Sequence, residues 1–281
     1  MSCYFPIPPN FLVDKSSNSF VSSSITVLNY PSNFLKKNYG KLKKKDLYFS
    51  IYSINNQLWN KVEEYCCSFG ETIEMHRHKI TSDNECILVA VPSINKNNPE
   101  KSKELPVPDS VRLDKSLIAE RASFNFKIKD SSTYYQGEYP YKMTTINKGT
   151  FATFDSLRLD NDEYTKTYLL TMNISKYSAN RKKHLIEIYD PYTQKVDQEI
   201  TVESNSFKHN LLTKKSSIPS SFTNLRAISC NTSIFIPLFL SCKIDNNFVN
   251  LTVEHTHPPG SFYWGEKRNA RRLYKKNWVR L

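Results

Sequence analysis

The sequence predicts a mainly β (α+β) fold: a small N-terminal α+β unit, an antiparallel β-sandwich, and a basic amphipathic C-terminal helix. Three observations predict it. Aromatics make up 13% of the 281 residues, including 17 Tyr and 16 Phe, and such side chains suit pleated, half-buried surfaces. Short apolar runs recur between polar, turn-rich stretches, as strands between loops do. Glycine is scarce, at 6 residues where an average chain of this length carries roughly 20. That scarcity argues against Gly-rich phosphate loops, which let backbone approach a ligand closely.

In chain order, residues 1–91 form the expected α+β unit. A strand is expected at 25–28, followed by the strong strand LYFSIYSI at 47–54, rich in β-branched and aromatic residues. The spacing of Leu58, Val62, Tyr65, Cys66 and Phe69 predicts a helix over 56–69, capped by Asn55 or Asn56 and ended by Gly70. Strands are expected at 71–80 and 86–91. Residues 92–110, with four prolines among Asn, Lys and Ser, read as a linker. Seven strands then define the sandwich over 111–264, at 123–129, 151–157, 167–174, 184–190, 196–202, 234–242 and 248–257. Residues 265–281 form the basic tail.

Charge is unevenly placed. The net charge is +12, yet residues 36–45 hold six lysines and no acid, and residues 265–281 hold seven Lys/Arg and one Glu. The remainder carries 26 bases and 26 acids. Concentrated charge sets local potential and attracts an anionic partner. In the tail, Ala270, Leu273, Tyr274, Trp278 and Leu281 follow one helical face. Arg268, Arg271, Arg272, Lys275, Lys276 and Arg280 occupy the rest of it. Such a helix can lie on an acidic protein, an anionic glycan or membrane surface, or a nucleic-acid backbone. Arg268, Arg271, Arg272, Lys275, Lys276, Trp278, Lys43, Lys44 and Lys45 are therefore the expected partner-binding residues. Docking of Trp278 and Leu273 onto the chain's own core is the structural alternative.

Two smaller patterns suggest other chemistry. Along VEHTHPP, residues Leu251, Val253, His255 and His257 share one strand face. Two histidines at i and i+2 can both reach one divalent metal such as Zn. His76 and His78 repeat the spacing beside Glu74. The bland reading is solvent-side residues of an edge strand in the first pair, and a hydrogen-bonded strand end in the second. In STYYQGEYPYKM, Tyr134, Tyr135, Tyr139 and Tyr141 form an expected ligand platform for sugar rings or bases. Tyrosines beside a turn also commonly cover a core.

GxxxxGK[ST], GxGxxG, HExxH, GxSxG and EF-hand patterns are absent, which removes the commonest reasons to expect an enzyme. The six cysteines form no CxxC and read as free thiols. The first residues show no basic segment followed by an apolar one, so the expected location is cytoplasmic. The expected function is a non-catalytic binding or assembly protein without a cofactor, engaging an acidic macromolecule or anionic surface. A metal-dependent enzyme at His255 and His257 and a carbohydrate-binding or carbohydrate-processing accessory protein are the alternatives.

Overall fold

The computed structural model describes residues 3–14, 19–29, 46–77, 87–96, 98–109, 121–145, 149–155, 159, 165–190, 195–213, 225–230, 232, 235–245 and 248–255. The chain divides into two compact units. The first combines Met1–Ile128, Ser132–Thr145 and Ile174–Asn180; the second combines Lys129–Ser131, Ile146–Asn173 and Arg181–Leu281.

The first unit holds two antiparallel sheets. One contains β1 (Cys3–Ile7), β4 (Leu47–Asn55), β5 (Leu58–Cys67), β7 (Leu88–Ser93), β8 (Lys101–Ser102) and β11 (Tyr139–Pro140), in the order β11-β1-β7-β4-β5-β8. The other contains β2 (Phe11–Asp14), β3 (Ser19–Leu28), β6 (Thr72–His76), β9 (Arg121–Ile128) and β10 (Ser131–Gln136). Its order is β10-β9-β3-β2, with β6 pairing β3 beside β2. Alternation sorts the faces of β3: Val21, Ile25 and Val27 are buried, whereas Phe20 and Leu28 are exposed. Phe124 and Phe126 of β9 join the buried side. A short 3-10 helix, Tyr141–Thr145, follows β11.

Residues 92–96 and 98–109 of the Pro- and Lys-rich stretch pack within this unit. Leu105 is buried and its N–H donates to the Lys176 carbonyl at 2.8 Å. Glu104 and Tyr177 form an antiparallel bridge, and Ser178 N–H donates to the Lys103 carbonyl at 3.0 Å.

The second unit is a sandwich of two four-stranded antiparallel sheets. In one, β12 (Thr150–Asp155), β14 (Lys183–Asp190), β15 (Lys195–Glu203) and β17 (Leu225–Cys230) run in the order β12-β17-β14-β15. In the other, β13 (Thr165–Asn173), β16 (Ser206–Leu211), β18 (Ile236–Asp245) and β19 (Phe248–His255) run in the order β16-β13-β18-β19. Ile186, Ile188, Ile200, Val202 and Ile228 of the first sheet meet Leu169 and Phe239 of the second in one core cluster. Phe154 and Phe239 stack across it with ring centroids 4.7 Å apart, as aromatic pairs between layers do.

The β-rich class expected from the sequence is observed, and one element is corrected. Residues 56–69 do not form a helix: β4 and β5 make a hairpin, with Asn55 opposite Leu58. Asn56 and Gln57 form its two-residue loop with φ of 50° and 59°, the positive pair of a type I′ turn. The two asparagines that read as a helix cap are turn chemistry, because Asn tolerates the left-handed region. The helical stripe was also misleading. Val62 is 57% exposed, while Trp59, outside that stripe, is fully buried.

Candidate functional site

Three polar constellations stand out among the described residues, each placed by strand alternation. The first surrounds His184 on β14. His184 precedes Ile186 and Ile188 at two-residue spacing, so its side chain is carried inward with theirs. Its Nδ1 lies 2.8 Å from Thr232 Oγ1 and its Nε2 lies 2.8 Å from Ser204 Oγ. Burial, with a smaller contribution from the Lys182 charge, pushes the imidazole pKa below its ordinary value. A serine on a histidine suggests a nucleophile and base. Ser204 is itself buried, so its Oγ is closed to a substrate, and the arrangement locks a neutral imidazole between two hydroxyls.

The second is a buried ion cluster. Arg226 of β17 precedes Ile228 and Cys230 at the same spacing and is fully buried. Its Nε donates to Asp197 Oδ2 at 2.6 Å, and its Nη2 lies 3.5 Å from Asp190 Oδ2. Both aspartates are buried. The β14–β15 register shifts between Ile188 and Tyr189, where Gln198 and Val196 are the paired residues and Asp197 between them is extra, a β-bulge. A charge is retained inside a protein when it is paired and hydrogen-bonded.

The third is the polar face of β3, β6, β9 and β10 in the first unit. Ser24 of β3 stands opposite His76 of β6 and Asn125 of β9. Asn125 Nδ2 donates to Ser24 Oγ at 3.0 Å and to Thr26 Oγ1 at 2.7 Å, and Ser24 Oγ donates to Glu74 Oε1 at 2.5 Å.

The residues singled out from the sequence are distributed differently. Tyr134 on β10 is 63% exposed, and Tyr135 takes the opposite, half-buried face of that strand. Tyr139 is 1% exposed and its hydroxyl accepts from Ile174 N–H at 3.4 Å. Tyr141 packs its ring at 6.0 Å from that of Tyr4. The four therefore do not share one surface. His76 is exposed on β6 in the first unit. His255 closes β19 in the second unit, its backbone paired with Leu238. Leu251 and Val253 of the same strand are buried. No group of three or more His, Cys, Asp or Glu residues suited to a metal occurs among the described residues. His78, His257, Lys43, Lys44, Lys45, Arg268, Arg271, Arg272, Lys275, Lys276 and Trp278 lie outside the described residues. Also among the described residues, no helix is long and apolar enough to cross a membrane.

Sequence reasoning missed His184, Arg226 and Asp197. For the first two a signal existed: each lies two residues before a buried isoleucine of the same strand, a position that implies burial. Asp197 gave none, because a bulge reverses parity.

The fold and these sites define a β-rich protein, antiparallel in the strand pairings described, with a buried ion cluster and a hydrogen-bonded polar sheet face. No protein-family model matches the chain, and neither the curated proteins nor the solved structures contain a match.

Proposed function

We propose that the protein is a non-catalytic binding or assembly protein that engages an anionic macromolecule or surface through residues 36–45 and 265–281. One observation carries this reading. Those two segments hold the whole excess of positive charge, while the rest of the chain carries 26 bases and 26 acids. A uniformly basic protein attracts anions diffusely. Charge gathered into segments of 10 and 17 residues raises the local potential where a polyanion makes contact.

The test is retention on heparin and on double-stranded DNA by the full-length protein over a salt series. Association should weaken linearly in log–log form as salt rises, since binding releases condensed counterions. Reversing Arg271, Arg272, Lys275 and Lys276 to Glu should weaken retention and lower its salt dependence while leaving the circular dichroism unchanged. Undiminished polyanion binding by that folded variant would overturn the proposal.

A further inference from the structure

We infer that Glu187, Glu199 and Ser229 form a low-affinity calcium site on the outer face of the sheet β12-β17-β14-β15. Register brings the three together. Glu187 of β14 stands opposite Glu199 of β15 on one side and opposite Ser229 of β17 on the other. Residues paired across antiparallel strands share a face, with Cβ atoms roughly 4.5–5.5 Å apart. Their sequence neighbours Ile186, Ile188, Ile200 and Ile228 belong to the core cluster, so the three side chains leave the sheet on the side away from it. Leu185 and Val196 flank the glutamates on that face and are 45% and 36% exposed. The row is therefore open to solvent along β14 and β15.

Two features of this row are unsatisfied without a cation. Like charges directly opposite each other destabilise a sheet, and among the described residues neither Glu187 nor Glu199 has a hydrogen-bond or ion-pair partner. Lys183 lies on the same face but stands opposite Glu203. It is two same-face positions from Glu187, roughly 13 Å along the strand. The second feature is independent of the first. Ser229 is 0% exposed, and its buried Oγ has no hydrogen-bond partner, whereas buried hydroxyls normally have one. A cation between the strands takes oxygen from both carboxylates and from that hydroxyl, and so removes the repulsion and the orphaned group together.

Donor chemistry selects the ion. All three donors are oxygens, which favour calcium or magnesium over zinc, with its preference for nitrogen and sulfur. Magnesium demands a near-ideal octahedron and gives up its water reluctantly. Two glutamates on adjacent strands reach the ion through long stems, which suits the looser shell of six to eight oxygens around calcium, completed here by water. A lysine of a partner chain would bring one positive charge to two carboxylates, on a four-carbon stem that must also be accommodated beside the covered Ser229. With so few charged ligands, affinity should be on the order of 10⁻⁴–10⁻³ M. A hydroxyl as third ligand also sets this row apart from a group of three or more His, Cys, Asp or Glu, none of which occurs among the described residues.

The experiment is calorimetric titration of calcium chloride, and separately of magnesium chloride, into chelator-treated full-length protein. Calcium should bind, and magnesium more weakly. Glu187→Gln and Glu199→Gln should each weaken calcium about tenfold. Ser229→Ala should weaken it several-fold while leaving the calcium-free protein at least as stable in urea, because that substitution breaks no hydrogen bond. Heparin retention should be unchanged in all three variants, so this site and the polyanion reading fail separately. Absence of calcium binding up to about 10 mM, a preference for magnesium, or undiminished calcium binding in the folded Glu187→Gln/Glu199→Gln protein would overturn the inference. So would oligolysine binding that needs both glutamates in a protein that takes up no calcium, which would assign the face to a cationic chain.

Discussion

Taking the Arg226 guanidinium out of water is costly, and the carboxylates of Asp190 and Asp197 offset that cost through close contacts in a medium of low dielectric. Removing the arginine would strand two buried negative charges. Arg226→Met should therefore destabilise the second unit by about 3–5 kcal/mol, measured as a lower midpoint in urea. A loss below about 1 kcal/mol would mean that the cluster contributes little to the stability of the second unit. His184 gives a pH signature instead. Its folded pKa is depressed, so as pH falls through the ordinary value of 6.5 the unfolded chain takes up a proton before the folded one does. The stability contributed by the neutral imidazole is thus present above pH 6.5 and is lost as pH drops toward the folded value. His184→Gln should flatten urea stability between about pH 7 and pH 5. Equal slopes in the two proteins would assign the acid sensitivity elsewhere.

At the scale of elements, the β4–β5 hairpin shows where local pattern and tertiary structure diverge. Gln57 adopts a φ of 59°, which costs a residue with a Cβ roughly 1–2 kcal/mol relative to glycine. Gln57→Gly should thus raise the melting temperature by about 2–4 °C, unless entropy gained by the unfolded chain cancels the relief. A fall in melting temperature would show that the glutamine side chain contributes more than its backbone costs. The strands that were legible are those with long apolar or alternating runs, such as β4, β13, β14 and β15. Those that were not have identifiable causes. β1 contains Pro6 and precedes Pro8 and Pro9, residues that normally punctuate strands. β16 is largely polar, and β17 carries a buried charge where an apolar residue is expected. Of the polar sheet face, Glu74, His76 and Tyr134 drew attention in the sequence, but as a metal pattern and a ligand platform rather than as one surface. The partners of Ser24 on β6 and β9 are brought alongside by pairings about 50 and 100 residues distant in sequence, which no local window contains.

For the whole molecule, the division into units is not a division into consecutive halves. Residues Ile174–Asn180 belong to the first unit although they connect β13 and β14 of the second. Within that unit the Lys176 carbonyl accepts from Trp59 Nε1 at 3.0 Å, and Ser178 Oγ donates to the carbonyls of Gln57 and Lys103. A fragment of residues 1–145 should therefore leave the Trp59 indole without its acceptor. Faster hydrogen exchange in β5 and β8 than in the full-length protein is the expected outcome. Native-like protection in the fragment would show that the segment is dispensable.

During synthesis this arrangement imposes a delay. The ribosome must make about 50 further residues after β9 before Ser178 exists, which takes roughly 3–10 s at ordinary elongation rates. Throughout that interval the nascent first unit carries its one tryptophan, Trp59, beside a gap, so its period of greatest risk is set by translation speed. Slower codons between β10 and β13 would lengthen chaperone dependence without altering a single amino acid.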